Sequence, residues 1–164
     1  MTTLNVAKDA GTDPADAAHA ALHDEADAAR HIIAARKLLK DPVQSAFFDA
    51  LFAGAPPEDI ARYKPESLAA LAMLVFDHSA ARKPGESHIE ILSFRAQGDD
   101  DTRNESVLVA VNEDMPFLFD SLIAELSAQG ARVHALFHPI IDVTRDAAGN
   151  RSASGTSKIG RAHV

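Results

Sequence analysis

A turn at Lys83-Pro84-Gly85 divides the chain into two hydrophobic patterns. Before it, apolar residues recur every three or four positions. After it, they alternate or run in short blocks. The first pattern marks amphipathic helices and the second marks strands, because side chains come back to one face after about 3.6 residues on a helix and after two on a strand. Helices first and strands second confine the chain to an α+β architecture, in which helices pack on one face of a mostly antiparallel sheet. The 164 residues allow one domain with a helical annex. Folding a chain of this size buries roughly 70% of its extended surface, enough for a core without covalent staples.

Several function classes are excluded or disfavoured by composition. There is no Cys, so no disulfide framework, Cys-ligated zinc or cysteine nucleophile exists. The formal charge is -8, which repels a phosphate backbone, so no nucleic-acid partner is expected. Residues 84–126 hold ten acids against two bases, while residues 127–164 hold two acids against five bases. The acidic stretch reads as a solvated face. No run of apolar residues is long enough to span a membrane. The opening MTTLNVAKDAGTDPADAAHA has no signal-peptide hydrophobic region, so a cytoplasmic chain without a membrane partner is expected.

The expected organisation is a disordered start over 1–12, a helical segment over 13–83, a sheet-and-helix unit over 84–150, and a disordered or non-native tail over 151–164. Asp13-Pro14 opens a helix to Lys40, whose apolar positions Leu22, Ala26, Ala29, Ile33 and Leu38 drift around one broad face and whose early turns, poor in large side chains, are expected to pack weakly. Asp41-Pro42 restarts a helix with Val43, Phe47, Phe48, Leu51 and Phe52 buried, ending at Gly54. Pro57 opens a short helix to Tyr63, and Pro65 opens another carrying Leu68, Leu71, Ala72, Val75 and Phe76. Residues 88–95 and 105–112 read as strands around an exposed loop at 96–104. Pro116 begins a helix with Leu118, Leu122, Ile123 and Leu126 buried, and Gly130 ends it. Residues 132–143 read as a long strand bent at Pro139, lying parallel to 105–112 through a right-handed crossover. Residues 146–150 form a turn without a full return strand, which suggests a chain truncated after about Asn150.

Candidates for chemistry are few. His19 and His23 share a helix face with Asp16 and Asp27. However, HAALH lacks the Glu of a zinc-protease helix, so these residues read as a solvated face. His134, His138 and Asp142 share one strand parity, but they spread over more than one ion's reach, and a structural role is expected. Asp99, Asp100 and Asp101 lack the Gly and terminal Glu of a calcium loop. Glu113 and Asp114 read as caps, and Asp120 as a surface residue. Arg82-Lys83-Pro84-Gly85 is a small basic turn. There are no paired carboxylates for glycoside chemistry, no nucleophile elbow and no phosphate-cradling loop.

The stretch Val111-Asn112-Glu113-Asp114-Met115-Pro116-Phe117-Leu118-Phe119-Asp120-Ser121, then His138-Pro139, Arg145-Asp146 and Gly149, resembles the N-terminal region of the large bacterial NAD-specific glutamate dehydrogenases. The turn Ala81-Arg82-Lys83-Pro84-Gly85 belongs to the same likeness. Phe119 stands where that family often has Val. The resemblance is densest over 105–149 and slight over 1–40. It implies a partial ACT-like (ferredoxin-like) sandwich at the start of a longer enzyme. That enzyme oxidises L-glutamate to 2-oxoglutarate and ammonia with NAD, using a catalytic domain further along the polypeptide. The resemblance implies no catalytic, cofactor-binding or metal residue in this segment, downstream domains of the same chain as partners, and a homo-oligomer at full length. In this likeness Asp114 and Pro116 open the helix, Phe117 to Leu122 pack it, and His138-Pro139 shapes the next strand. Two other functions stay open: a stand-alone ACT-like module that binds amino acids, and a small metal enzyme using His134, His138 and Asp142.

Overall fold

The computed structural model describes residues 14–97 and 102–152. In chain order it comprises α1 (Pro14–Leu38), α2 (Pro42–Phe52), α3 (Pro57–Ala61), α4 (Pro65–His78), β1 (His88–Gln97), β2 (Thr102–Val111) and α5 (Leu118–Ala128). The fold is a helical segment followed by a small antiparallel sheet and a helix, an α+β arrangement of the ACT-like kind.

Proline starts recur because proline's missing N–H falls among donors that have no partner inside a helix in any case. Asp41 caps α2 by accepting from the N–H groups of Val43 (2.7 Å) and Gln44 (3.1 Å). The core sits where α2, α3 and α4 meet. Phe48 and Leu68 are fully buried, with Phe47, Leu51, Phe52, Ile60, Tyr63, Leu71 and Ala72 around them. Phe48 and Phe52 meet edge to face with ring centres 4.9 Å apart, and Phe47 meets Phe76 at 5.2 Å.

α1 turns the other way from the sequence expectation. Its buried residues are Ala28 and Ala35, with Ile32 and Leu39 half-buried. Leu22, Ala26, Ala29, Ile33 and Leu38 are all exposed. Alanines on the inner face leave room for α1 to lie close on α3 and α4, and the larger side chains point away.

β1 and β2 pair antiparallel, with His88 opposite Val111 and Gln97 opposite Thr102. Alternation then decides the faces. Leu92, Phe94 and Ala96 of β1 and Val107 and Val109 of β2 point toward the helices, and Ile89, Ile91 and Leu108 lie on the other face. Both strands reach further into the 96–104 segment than the pattern suggests. Ser67 and Lys64 bind the far end of β1: Gln97 N–H donates to Ser67 Oγ (2.7 Å), and Lys64 N–H to Gln97 C=O (3.0 Å).

Residues 132–143 belong to no strand, so the expected parallel crossover is replaced by a different route. Their burial still alternates over part of the run, with Ala135, Phe137 and Ile141 packed on the core. The helical layer captures the segment instead of the sheet. Phe137 meets Phe52 edge to face at 5.1 Å, and the N–H of Leu136 donates to Asp59 Oδ2 at 3.1 Å. Pro139 brings no ladder donor. α5 differs from expectation as well. It begins at Leu118, after Phe117 in the left-handed region (φ 63°), and no side chain caps it. All of its residues keep some exposure. Leu122, Ile123 and Leu126 are half-buried and Leu118 is exposed.

Candidate functional site

The most connected polar structure lies at the end of α4. The last carbonyls of a helix have no partner within it, and here two arginines that flank the 146–150 turn supply donors. Arg145 Nη1 donates to the carbonyls of Ala80 (3.1 Å) and Gly149 (2.9 Å), and Nη2 donates to that of Ser79 (3.0 Å). Arg151 Nη2 donates to Phe76 C=O (2.8 Å) and Nη1 to Ser79 Oγ (2.9 Å). The Arg151 guanidinium lies 3.7 Å from the centre of the Phe76 ring, a cation–π contact. Burial lowers the pKa of Arg145, with Arg82 adding to the effect. Burial also lowers that of Arg151, with Arg145 adding and Asp77 opposing.

A turn holds the two arginines in place. The Asp146 carboxylate accepts from the Asn150 side chain (3.1 Å) and from the N–H groups of Asn150 (2.8 Å) and Ala148 (2.9 Å). These bonds, that of the Asn150 side chain foremost, hold the carboxyl below the usual range. Gly149 adopts φ +87°, and a Cβ there would stand 2.5 Å from the Arg82 carbonyl oxygen. Arg82 N–H in turn donates to Gly149 C=O at 2.9 Å. The guanidinium donors are aimed at backbone carbonyls and the Ser79 hydroxyl, so the arrangement is a lock on the end of α4. Arg145, Asp146 and Gly149 figure in the sequence resemblance. Arg151 was missed there, although its place one residue beyond the Asp146–Asn150 turn mirrors that of Arg145 before it.

The other predicted residues are dispersed. His19 and His23 are exposed and their rings meet edge to face at 5.5 Å, while Asp27 pairs with Arg30. His134 and Asp142 are exposed, and His138 stacks on Phe119 at 4.6 Å. Among the described residues no group of three or more His, Asp or Glu is placed to hold a metal ion. Asp99, Asp100 and Asp101, and the side chain of Asp16, lie outside the described residues. Glu113 serves the basic turn rather than α5: its Oε1 accepts from Gly85 N–H (3.2 Å) and lies 3.8 Å from Arg82 Nη1. Asp114 and Asp120 are exposed, and Asp120 sits in the first turn of α5.

Two further polar junctions were not read from the sequence. Glu90 accepts a hydrogen bond from or pairs with His78 Nδ1, and its other oxygen lies 3.5 Å from His88 Nε2, which ties the end of α4 to β1. His88 and Glu90 are two apart on a strand and so share a face, which is the signal that could have found them. Tyr63 Oη donates to Glu105 Oε2 at 2.9 Å, and Arg103 Nη2 donates to Arg62 C=O at 3.0 Å. Burial, helped by Glu105, pushes the Tyr63 phenol well above its ordinary value.

Beside these locks lies uncovered apolar surface. Ile89 is 62% exposed and Ile91 74% exposed, and their cross-strand partners on the same face are Ala110 and Leu108. Met115 and Leu118 are also exposed, and Phe117 is 78% exposed. The chemistry available there is packing against more polypeptide.

Comparison with known proteins agrees with this picture. The family model described as "Glutamate dehydrogenase, ACT1 domain" matches residues 47–162, so the match runs across the turn at residues 83–85. A curated relative, the NAD-specific glutamate dehydrogenase of Halomonas elongata, is 29% identical over 102 residues, which cover 61% of this chain and 6% of the relative. The chain thus aligns with a small part of that relative's length. No solved structure matches the chain.

Proposed function

Because the chain belongs to the glutamate dehydrogenase ACT1-domain family, we propose that it is the N-terminal assembly and regulatory portion of an NAD-dependent glutamate dehydrogenase. In that enzyme, L-glutamate, NAD and water give 2-oxoglutarate, ammonia and NADH in a catalytic domain further along the polypeptide. This segment contributes no catalytic, NAD-binding or metal residue to that reaction. Its partners are the downstream domains of the same polypeptide and further copies of the enzyme, in the cytoplasm.

The observation that carries this reading is the uneven covering of the sheet. One face of the β1–β2 hairpin packs on α4, and the other leaves Ile89 and Ile91 exposed. A two-stranded sheet is marginal on its own and gains stability when a third strand or another layer is added. The full-length enzyme tests the reading. Replacing both Ile89 and Ile91 with Ser is expected to weaken its assembly or its response to small effectors, while the 164-residue chain keeps its stability. Turnover of glutamate with NAD by the 164-residue chain alone would overturn the reading. Binding of amino acids to that chain, seen by calorimetry without any effect of the serine pair at full length, would favour a stand-alone binding module.

A further inference from the structure

We infer that α1 pairs with α1 of a second copy of this chain, parallel and in register, through the face that carries Leu22, Ala26, Ala29 and Ile33. This surface is separate from the hairpin face above, and the inference stands or falls without that reading.

The steps between these residues are four, three and four, the spacing of a coiled-coil seam. The face lies across the helix from Ala28 and Ala35, which pack on the chain's own core. Leu22 is 65% exposed and Ile33 57% exposed, so the two large residues of the seam are left largely uncovered by the described residues. Every residue from Ala17 to His23 is exposed, so the described start of the helix extends beyond the bundle.

Charge selects the occupant and its direction. With Leu22 and Ala29 at d and Ala26 and Ile33 at a, Glu25 takes a g position and Arg30 the following e position. In a parallel pair, g of one helix faces the next e of the other. Glu25 of each copy then meets Arg30 of its mate, twice across the seam. An antiparallel pair would bring Arg30 against the mate's His23 and Glu25 against its Ile32, with no charge complement. Arg30 is held in the single chain by Asp27 one turn earlier, in an exposed pair. Such a pair contributes little and leaves Arg30 able to serve both carboxylates. The second half of α1 is already ordered on α3 and α4, so part of the ordering cost of pairing is met before the copies meet. The seam spans two heptads, far less than the roughly 1,600 Å² buried in a standard interface, so the pair forms in a concentration-dependent way.

The absence of Cys gives a clean test. Sedimentation of the 164-residue chain is expected to show a two-chain species that grows with concentration. Leu22→Glu with Ile33→Glu abolishes it without loss of helical circular dichroism. Glu25→Lys and Arg30→Glu each weaken it, and the two together restore it. Under air, Leu22→Cys crosslinks to itself, as does Ile33→Cys. A single-chain mass at every concentration overturns the inference. So does a two-chain species that survives the paired Glu substitutions, or crosslinking seen only when the Leu22→Cys and Ile33→Cys chains are mixed, which would mark an antiparallel pair.

Discussion

The two halves of the molecule use their large side chains differently. In α2 and α4 the aromatic and leucine residues face one another, and Phe48 and Leu68 are shut from solvent. After Pro84, β1 directs Leu92, Phe94 and Ala96 inward but leaves Ile89 and Ile91 outside, and α5 keeps exposure along its whole length. The helical half supplies most of the core, and Phe94, Ala96 and Phe137 of the second half complete it. The second half is a layer with one side covered, stabilised where it touches α4 and by polar ties at its ends. Hydrophobic burial makes the first half, and apolar contacts on one face together with specific hydrogen bonds hold the second against it.

This contrast places the greatest damage in the first half. Phe48→Ala removes a fully buried ring and is expected to cost about 3–5 kcal/mol, read as a lower urea midpoint. A loss under about 1 kcal/mol would mean that the helical core is loose. The polar ties come next. Gly149→Ala forces a Cβ against the Arg82 carbonyl at a positive φ and should cost about 1–3 kcal/mol. Arg151→Ala removes the guanidinium donors to Phe76 C=O and Ser79 Oγ, leaving the Phe76 carbonyl with the Ser79 hydroxyl, and should cost a similar ~1–3 kcal/mol, with Arg151→Lys recovering only part because the planar fork is lost.

Alkaline titration sharpens the contrast at the seam between the halves. The Tyr63 phenol, buried beside Glu105, holds its proton above the ordinary value. In the unfolded chain a tyrosine loses its proton near pH ~10. The folded state therefore binds more protons above that pH, and stability falls as pH rises further. The contribution is complete below the unfolded pKa. Urea midpoints measured upward from there should decline, and Tyr63→Phe should flatten the decline; an unchanged slope would place the titration elsewhere. The smallest effect belongs to the exposed helix. Leu118→Ser on α5 should shift stability of the 164-residue chain by no more than about 0.5 kcal/mol. A larger loss would show that α5 is packed in solution.

Much of this was legible in the residues, and what was not has local causes. The proline starts of α1 to α4, the Asp41 cap and the stripe Phe47-Phe48-Leu51-Phe52 were read correctly, because caps and large apolar residues act within a few positions; Pro116 was not the start of α5. In α1 the weak packing of the early turns was read correctly, but the apolar positions picked out are not the buried ones. A pattern of Ala with scattered Leu and Ile marks two faces almost equally, and the tight contact with α3 and α4 favours the smaller one. The segment 132–143 has a strand's alternation, but alternation does not say which layer will receive it, and Phe137 found Phe52 before a strand edge. At the site, Arg145, Asp146 and Gly149 stood out through the family likeness. The link of Arg151 to Phe76 spans 75 positions, and neighbouring residues carry no sign of such a distance.

α4 is a wall common to both halves, packing α1 and α2 on one flank and β1 on the other. A cut at the 83–85 turn would therefore leave neither piece with a whole interior. The helices would lose the roof that Phe94 and Ala96 provide, and the hairpin would lose its floor. Anyone transplanting this unit into another protein should move α1 through Ser152 as a single block.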